Sequence, residues 1–165
     1  MSDITPTLTR RMQIESLENE VRKHPMAITD SKSLDELFQL KHTFSDGIYI
    51  REGLIPKNTL IIGKIHKGRT LNFLMKGEIT VLTEDGIKRL KAPLQFVSPA
   101  GSKKVGFTHE DTIWVNVHAT QETDLVKIEE EVILPSYNND FIDVQIEENK
   151  IILLSKESVC GQEQP

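Results

Sequence analysis

Two periodicities divide the chain. In "TRRMQIESLENEVRKHP", residues 9–25, the apolar positions Met12, Ile14, Leu17 and Val21 recur at helical spacing and fall mostly on one face; Pro25 then forbids easy continuation. A second, shorter helix is signalled by "SKSLDELFQL", where Ser33 and Glu36 stand at capping-box spacing and Leu34, Leu37 and Phe38 form an apolar stripe. Two roles suit such helices: covering an open end or edge of the β-rich region downstream, or pairing with the same helix of another subunit.

From His42 to about His118 the period shortens to two. "HTFSDGIYIREGLIPKNTLIIGKIHKG" holds three β-rich runs, broken at Ser45-Asp46-Gly47, at Pro56-Lys57-Asn58 and at Lys67-Gly68. "TLNFLMKGEITVLTEDGIKRLKAP" adds two more strands and a hairpin at Asp85-Gly86, a dipeptide favoured where both turn residues need positive φ. "LQFVSPAGSKKVGFTHEDTIWVNVH" completes the series, with turns at Pro99-Ala100-Gly101 and near His109-Glu110-Asp111. Short, evenly spaced strands without intervening helices predict a sandwich or barrel. A helix follows in "QETDLVKIEEEVI", with Leu125, Ile128 and Val132 on one side, and "DFIDVQIEENKIILLSK" has the pattern of a hairpin turning at Glu148-Asn149-Lys150. The expected organisation is a helical extension over residues 1–40, a barrel with its following helix over 41–134, and a hairpin with a polar tail over 135–165.

Composition sharpens this picture by exclusion. A chain of 165 residues with 38% hydrophobic and 27% charged positions suits one globular domain. No stretch approaches the roughly 18 apolar residues of a membrane span, and "MSDITPTLTRRMQIESLENEV" lacks the apolar run of a signal peptide, so we expect no membrane association and residence in the compartment of synthesis. Cys160 is the lone cysteine and sits in the tail "SKESVCGQEQP", which rules out an internal disulfide and makes it a poor nucleophile. A net charge of −5 argues against general nucleic-acid binding, despite the basic residues Lys64, Lys67, Arg69, Lys88, Arg89, Lys91, Lys103 and Lys104.

The blocks "HTFSDGIYIRE", "IGKIHKGRTLNFLMKGEITVLTEDG", "SPAGSKKVGFTHEDTIWVNVHAT" and "ETDLVKIEEE" together resemble the cupin superfamily, and more narrowly a group of cupin-like proteins encoded by tailed bacteriophages and prophages. The likeness spans roughly residues 40–131. It implies an all-β core, a single cupin-like jelly-roll barrel with N-terminal helices, one helix after the barrel and a C-terminal β-hairpin. It also implies a viral origin, with the bacterial host cytoplasm or the virion as location. The helical extension and the hairpin, as additions to a closed fold, point to a homo-oligomer with virion or host proteins as partners. Fold alone assigns no activity.

With Gly77 in register as the closing glycine of the first cupin motif, the resemblance places its two histidine positions at Lys64 and His66 and its glutamate position at Thr70. In the second motif Pro99 and Gly101 match and Lys104 takes the histidine position. Of four expected metal ligands only His66 survives; a protonated lysine has no lone pair for a metal, and threonine is a poor substitute for carboxylate. We therefore expect no metal site, no cofactor and no catalytic residue. The same alignment points Lys64, His66 and Lys104 into one barrel, with Thr70 and Asn72 on the neighbouring strand. Two ammonium groups in a concave site need an anion between them, so the expected ligand is a phosphate, nucleotide or carboxylate, with Trp114 or Tyr49 as a stacking face and Arg51 as a further anchor. Alternation in "TIWVNVH" puts Ile113, Val115 and Val117 on one face and Trp114, Asn116 and His118 on the other, which must be either pocket or solvent. His109, beside Glu110 and Asp111, is expected in a solvated turn. The expected function is a non-catalytic binding or structural module, in the virion or directed at a host component, with the extensions carrying the contacts; the alternatives are the anion pocket just described and a metal-independent sugar isomerase or epimerase with His66 as base and Tyr49 as acid. Against the anion pocket stands the reading in which the lysines lie at the barrel mouth and simply extend to solvent.

Overall fold

The computed structural model describes residues 6–136. Helix α1 (Pro6–Lys23) and helix α2 (Ser31–Leu37) precede ten strands: β1 (Lys41–Ser45), β2 (Ile48–Ile55), β3 (Leu60–Ile62), β4 (Ile65–His66), β5 (Thr70–Lys76), β6 (Glu78–Thr83), β7 (Gly86–Lys91), β8 (Leu94–Ser98), β9 (Val105–Thr108) and β10 (Thr112–Ala119). Helix α3 (Leu125–Val132) and strand β11 (Ile133–Leu134) follow. The hairpin expected beyond residue 135, with its turn at Glu148-Asn149-Lys150, lies outside the described residues, as does Cys160.

The strands form a five-stranded antiparallel sheet in the order β1-β2-β10-β5-β8 and a four-stranded one in the order β3-β9-β6-β7. From β2 to β3, β5 to β6, β7 to β8, β8 to β9 and β9 to β10 the chain changes sheet, so neighbours in space are distant in sequence. That interleaving, β2-β10-β5-β8 facing β3-β9-β6-β7, is the double Greek key of a jelly roll. The third run expected before Lys67 divides in two: β3 joins the second sheet, whereas β4 pairs with β11, His66 opposite Ile133 and Ile65 opposite Leu134. This small ribbon fastens α3 to the barrel.

Between the sheets, Leu74, Ile79 and Val81 form a buried cluster against which Leu90, Ala92 and Trp114 pack. The β5–β6 connection turns on Gly77, at φ +88; a Cβ there would lie 2.6 Å from both the Asp111 carbonyl oxygen and Thr112 Oγ1. The β6–β7 hairpin pairs Thr83 with Gly86, so its two loop residues are Glu84 and Asp85, one position earlier than the Asp85-Gly86 expected. Gly86, at φ +116, opens the next strand instead.

Among the described side chains of helix α1, buried apolar residues and a set of charges hold it to the barrel. Ile14 is fully buried, Leu17 and Val21 are half-buried, and Met12 is exposed. Arg10 Nη1 donates to the Glu84 carbonyl at 2.7 Å, Arg11 Nε stands 3.5 Å from the Glu84 carboxylate, and Lys103 pairs with Glu18. In α2 the N-cap is Asp30, whose carboxylate accepts from the Ser33 backbone N–H at 2.8 Å; Ser33 is therefore inside the helix rather than its cap. Asp124 caps α3 in the same way, accepting from the backbone N–H groups of Val126 and Lys127, and Ile128 is the buried residue of that helix. No helix among the described residues is long and apolar enough to cross a membrane.

Because Ile14 is the fully buried anchor of α1, Ile14→Ala should lower the unfolding free energy by about 2–5 kcal/mol. Met12→Ala should change it by less than about 0.5 kcal/mol. Urea denaturation of both variants checks this; equal effects would mean that the helix docks differently.

Candidate functional site

Register fixes which side chains face the space between the sheets. Across the five-stranded sheet, Phe44, Tyr49, His118, Thr70 and Ser98 form one inward row, and His42, Arg51, Asn116, Asn72 and Phe96 form the next. The third inward row, with Gly53, Trp114, Leu74 and Leu94, closes on the apolar cluster. The Trp114, Asn116 and His118 face of β10 is thus the interior, and the aliphatic alternates lie on the outer side of the sheet beside Ile48, Leu71 and Val97, all three exposed.

The interior rows are unusually polar. Thr70 and Asn72 are completely buried, and Ser98 nearly so. Asn116 Nδ2 donates to Asn72 Oδ1 at 2.8 Å; Asn72 Nδ2 in turn donates to Ser98 Oγ at 2.9 Å and to the Thr70 carbonyl at 2.7 Å. This chain satisfies the amides internally, so they are wall rather than free donors. Beside it runs a ladder of rings. Phe44 stacks on Tyr49 with centroids 5.2 Å apart, Tyr49 on His118 at 5.8 Å, and His118 on His66 at 5.4 Å with planes only 2° apart. His42 stacks on Tyr49 as well, and its Nδ1 lies 2.8 Å from the Tyr49 hydroxyl.

Burial keeps this ladder uncharged. Desolvation first, then the like charges of Lys104, His118 and Arg51, lower His66 from 6.5 to about 3. Burial likewise lowers His118, reinforced by Arg51 and Lys104, and lowers His42, reinforced by Arg51 and opposed by Asp35. Tyr49 is raised by burial and so keeps its proton. Lys104 is pushed down to about 8 by burial, with Glu84 acting in the opposite sense. Glu84 is itself buried and is shared with Arg11. Two buried polar atoms nearby, His66 Nδ1 and Ser102 Oγ, have no hydrogen-bond partner among the described residues.

The structure brings together most, but not all, of the residues singled out in the sequence. His66, Thr70, Asn72, Tyr49, Asn116 and His118 share the interior, and Lys104 acts electrostatically on His66 and His118. Arg51 lies in an inward row but is exposed, at the rim. Lys64 departs from expectation: it points away and pairs with Glu129 of α3, its side chain 53% exposed. The cause is local, since Gly63 and Lys64 lie between β3 and β4, and alternation counted from His66 does not apply outside a strand. Trp114 also departs, meeting Phe96 edge-on in the apolar layer, and both faces of Tyr49 are covered by other rings, so neither is a stacking platform. His109 is half-buried rather than solvated, its Nε2 2.7 Å from Thr80 Oγ1 and its ring against Phe107. Sequence reasoning missed His42, Ser98, Ser102 and Glu84. The pairing of β1 with β2 would have found His42; the other three depend on contacts between distant segments.

At the four positions where the cupin motifs place metal ligands, the residues do not fit a metal. Lys64 is outside, Lys104 ends in an ammonium, and Thr70 Oγ1 is turned to the Gly68 carbonyl. Among the described residues no group of three or more His, Cys, Asp or Glu side chains is arranged to hold a metal ion.

No family model and no curated protein matches the chain. Among solved structures it is similar to KdgF from Halomonas sp., with 12% identity, a TM-score of 0.46, and coverage of 61% of this chain and 92% of that one. It is also similar to the cupin domain of Cnp3 from Schizosaccharomyces pombe (15% identity, TM-score 0.43, coverage 56% and 69%) and to a cupin-2 domain protein from Shewanella frigidimarina (11%, 0.42, 56% and 94%). The jelly-roll assignment itself rests on the strand order.

The depressed His66 has a consequence for stability. Between pH 6.5 and about 3 the unfolded chain binds a proton at this position that the folded chain refuses, so stability falls as pH drops through that window. His66→Gln should flatten the acid side of the stability curve relative to the natural chain. Tm measured from pH 7 to pH 4 checks it, and identical slopes would contradict the assigned burial.

Proposed function

We propose that this chain is a non-catalytic, cupin-type binding protein of tailed-phage or prophage origin whose barrel interior holds a small anion. The observation that carries the reading is Lys104: a desolvated ammonium, depressed to about 8, beside a ladder of neutral rings and sharing its buried carboxylate with an arginine. A bound anion would relieve that penalty, and Arg51 at the rim would draw it in. The metal-independent epimerase reading has less support, because the ring of His118 intervenes between His66 and Tyr49 and the Tyr49 hydroxyl is engaged by His42.

A homo-oligomer suits the outer side of the five-stranded sheet, where exposed Ile48, Leu71 and Val97 flank the aliphatic residues of β10. The phage setting, with the host cytoplasm or the virion as location and virion or host proteins as partners, rests on the resemblance of the four sequence blocks.

Calorimetric titration with inorganic phosphate, carboxylates, sugar phosphates and nucleotides tests the anion site. At least one anion should bind at pH 7, about tenfold more weakly in Lys104→Met. Affinity should also decline as pH rises past about 8 and Lys104 loses its proton. Absence of binding by every member of the panel contradicts the proposal.

A further inference from the structure

The two sheets part between their edge strands β7 and β8, leaving a cavity of about 250 Å³. Its walls are largely apolar, with Val81, Leu90, Leu94 and Phe96 contributed by three strands, and its polar residues include Lys104, Ser98 and Ser102. Ser98 Oγ already accepts from Asn72, but Ser102 is 4% exposed and its buried hydroxyl has no partner among the described residues. Lys104 lies in the irregular segment before β9, where no strand alternation dictates its direction. The same lysine acts on the ring ladder, so the cavity and the basic interior are joined through it.

We infer that the ligand is an amphipathic monocarboxylate with a short apolar tail. This rests on the anion-site reading above and narrows it. The head would accept from the Lys104 ammonium and the Ser102 hydroxyl, two donors suited to one carboxylate. The tail would lie against Leu90, Leu94 and Phe96, toward the opening between the edge strands. Three observations set the class. One desolvated lysine that already shares Glu84 suits a single negative charge, and the two other charged residues of the lining, exposed Asp85 and Lys88, offset one another and add no net attraction for a polyanion. Of the rings near the cavity, Tyr49 is covered on both faces and Trp114 packs on the apolar cluster at right angles to Phe96, which leaves Phe96 as a single apolar wall with no second ring facing it to sandwich a nucleobase. The volume falls below the roughly 300–1,000 Å³ of pockets for drug-sized molecules, so the tail must be short.

The test is calorimetric titration of the full chain at pH 7 with hexanoate, 1-hexanol, inorganic phosphate and AMP. Hexanoate should bind, 1-hexanol should bind about tenfold more weakly or not at all, and neither phosphate nor AMP should displace hexanoate. Lys104→Met and Leu94→Asp should each weaken hexanoate about tenfold, through the head and the tail respectively; Leu94 is partly exposed on an edge strand, and circular dichroism of both variants checks that each is folded before titration. Ser102→Ala should weaken it by a smaller factor. Phosphate or AMP binding tighter than hexanoate, and dependent on Lys104, would overturn this inference and leave the anion site standing. Hexanoate binding unchanged in both Lys104→Met and Leu94→Asp would overturn it as well. No binding by any of the four would overturn this inference, while the wider anion panel separately decides the anion site.

Discussion

The desolvation of Lys104 is the interaction on which the interior of this protein depends. An ammonium taken out of water costs several kcal/mol unless paired and hydrogen-bonded, and this one has Glu84 to share with Arg11. Its field, with that of Arg51 at the rim, reaches His66 and His118, which burial alone already disfavours as cations, and the result is a stack of neutral rings beside a desolvated ammonium. The same glutamate ties the barrel to α1, because Arg10 donates to its backbone carbonyl while Arg11 faces its carboxylate. Site and helical extension are therefore coupled through one residue at the β6–β7 turn.

Jelly-roll topology explains why these groups meet. The rows run across strands that are far apart in sequence, so β2, β10 and β5 contribute ring, ring and hydroxyl at one level, and guanidinium, amide and amide at the next. The second sheet supplies the aliphatic counter-surface through Ile79 and Val81. What distinguishes this barrel from a dry sandwich is the retention of polar residues in the inward rows, each amide satisfied by its neighbour, with His66 Nδ1 and Ser102 Oγ left over. Edge strand β7 carries Lys88, Arg89 and Lys91, a charge pattern that discourages pairing with another sheet edge.

Much of this was legible in the sequence, and the remainder was hidden for identifiable reasons. Strand alternation placed Trp114, Asn116 and His118 on one face, and the paired register of regular strands made that face the interior. Counting by twos failed at Lys64, where the chain leaves β3 before entering β4, and could not have told that β4 pairs with β11 rather than continuing β3. Side-chain capping shifted the start of α2 to Asp30, because its carboxylate reaches Ser33 N–H. The roles of Ser102 and Glu84 rest on tertiary contacts, since Ser102 stands at an unspecified position of the second motif and Glu84 in a hairpin loop, and neither is part of a periodic run. Stacking was expected of Tyr49 and Trp114 from their chemistry; whether their faces are free depends on neighbours that no local pattern reveals.

The most direct measurement is the titration of the Lys104 ammonium itself, followed by nitrogen-detected NMR of the isotopically labelled protein with Lys104→Met for assignment. A desolvated Lys104 should titrate with a midpoint near 8, moving upward when an anion occupies the site. A midpoint at the ordinary lysine value, unmoved by anions, would contradict the central role given to this residue.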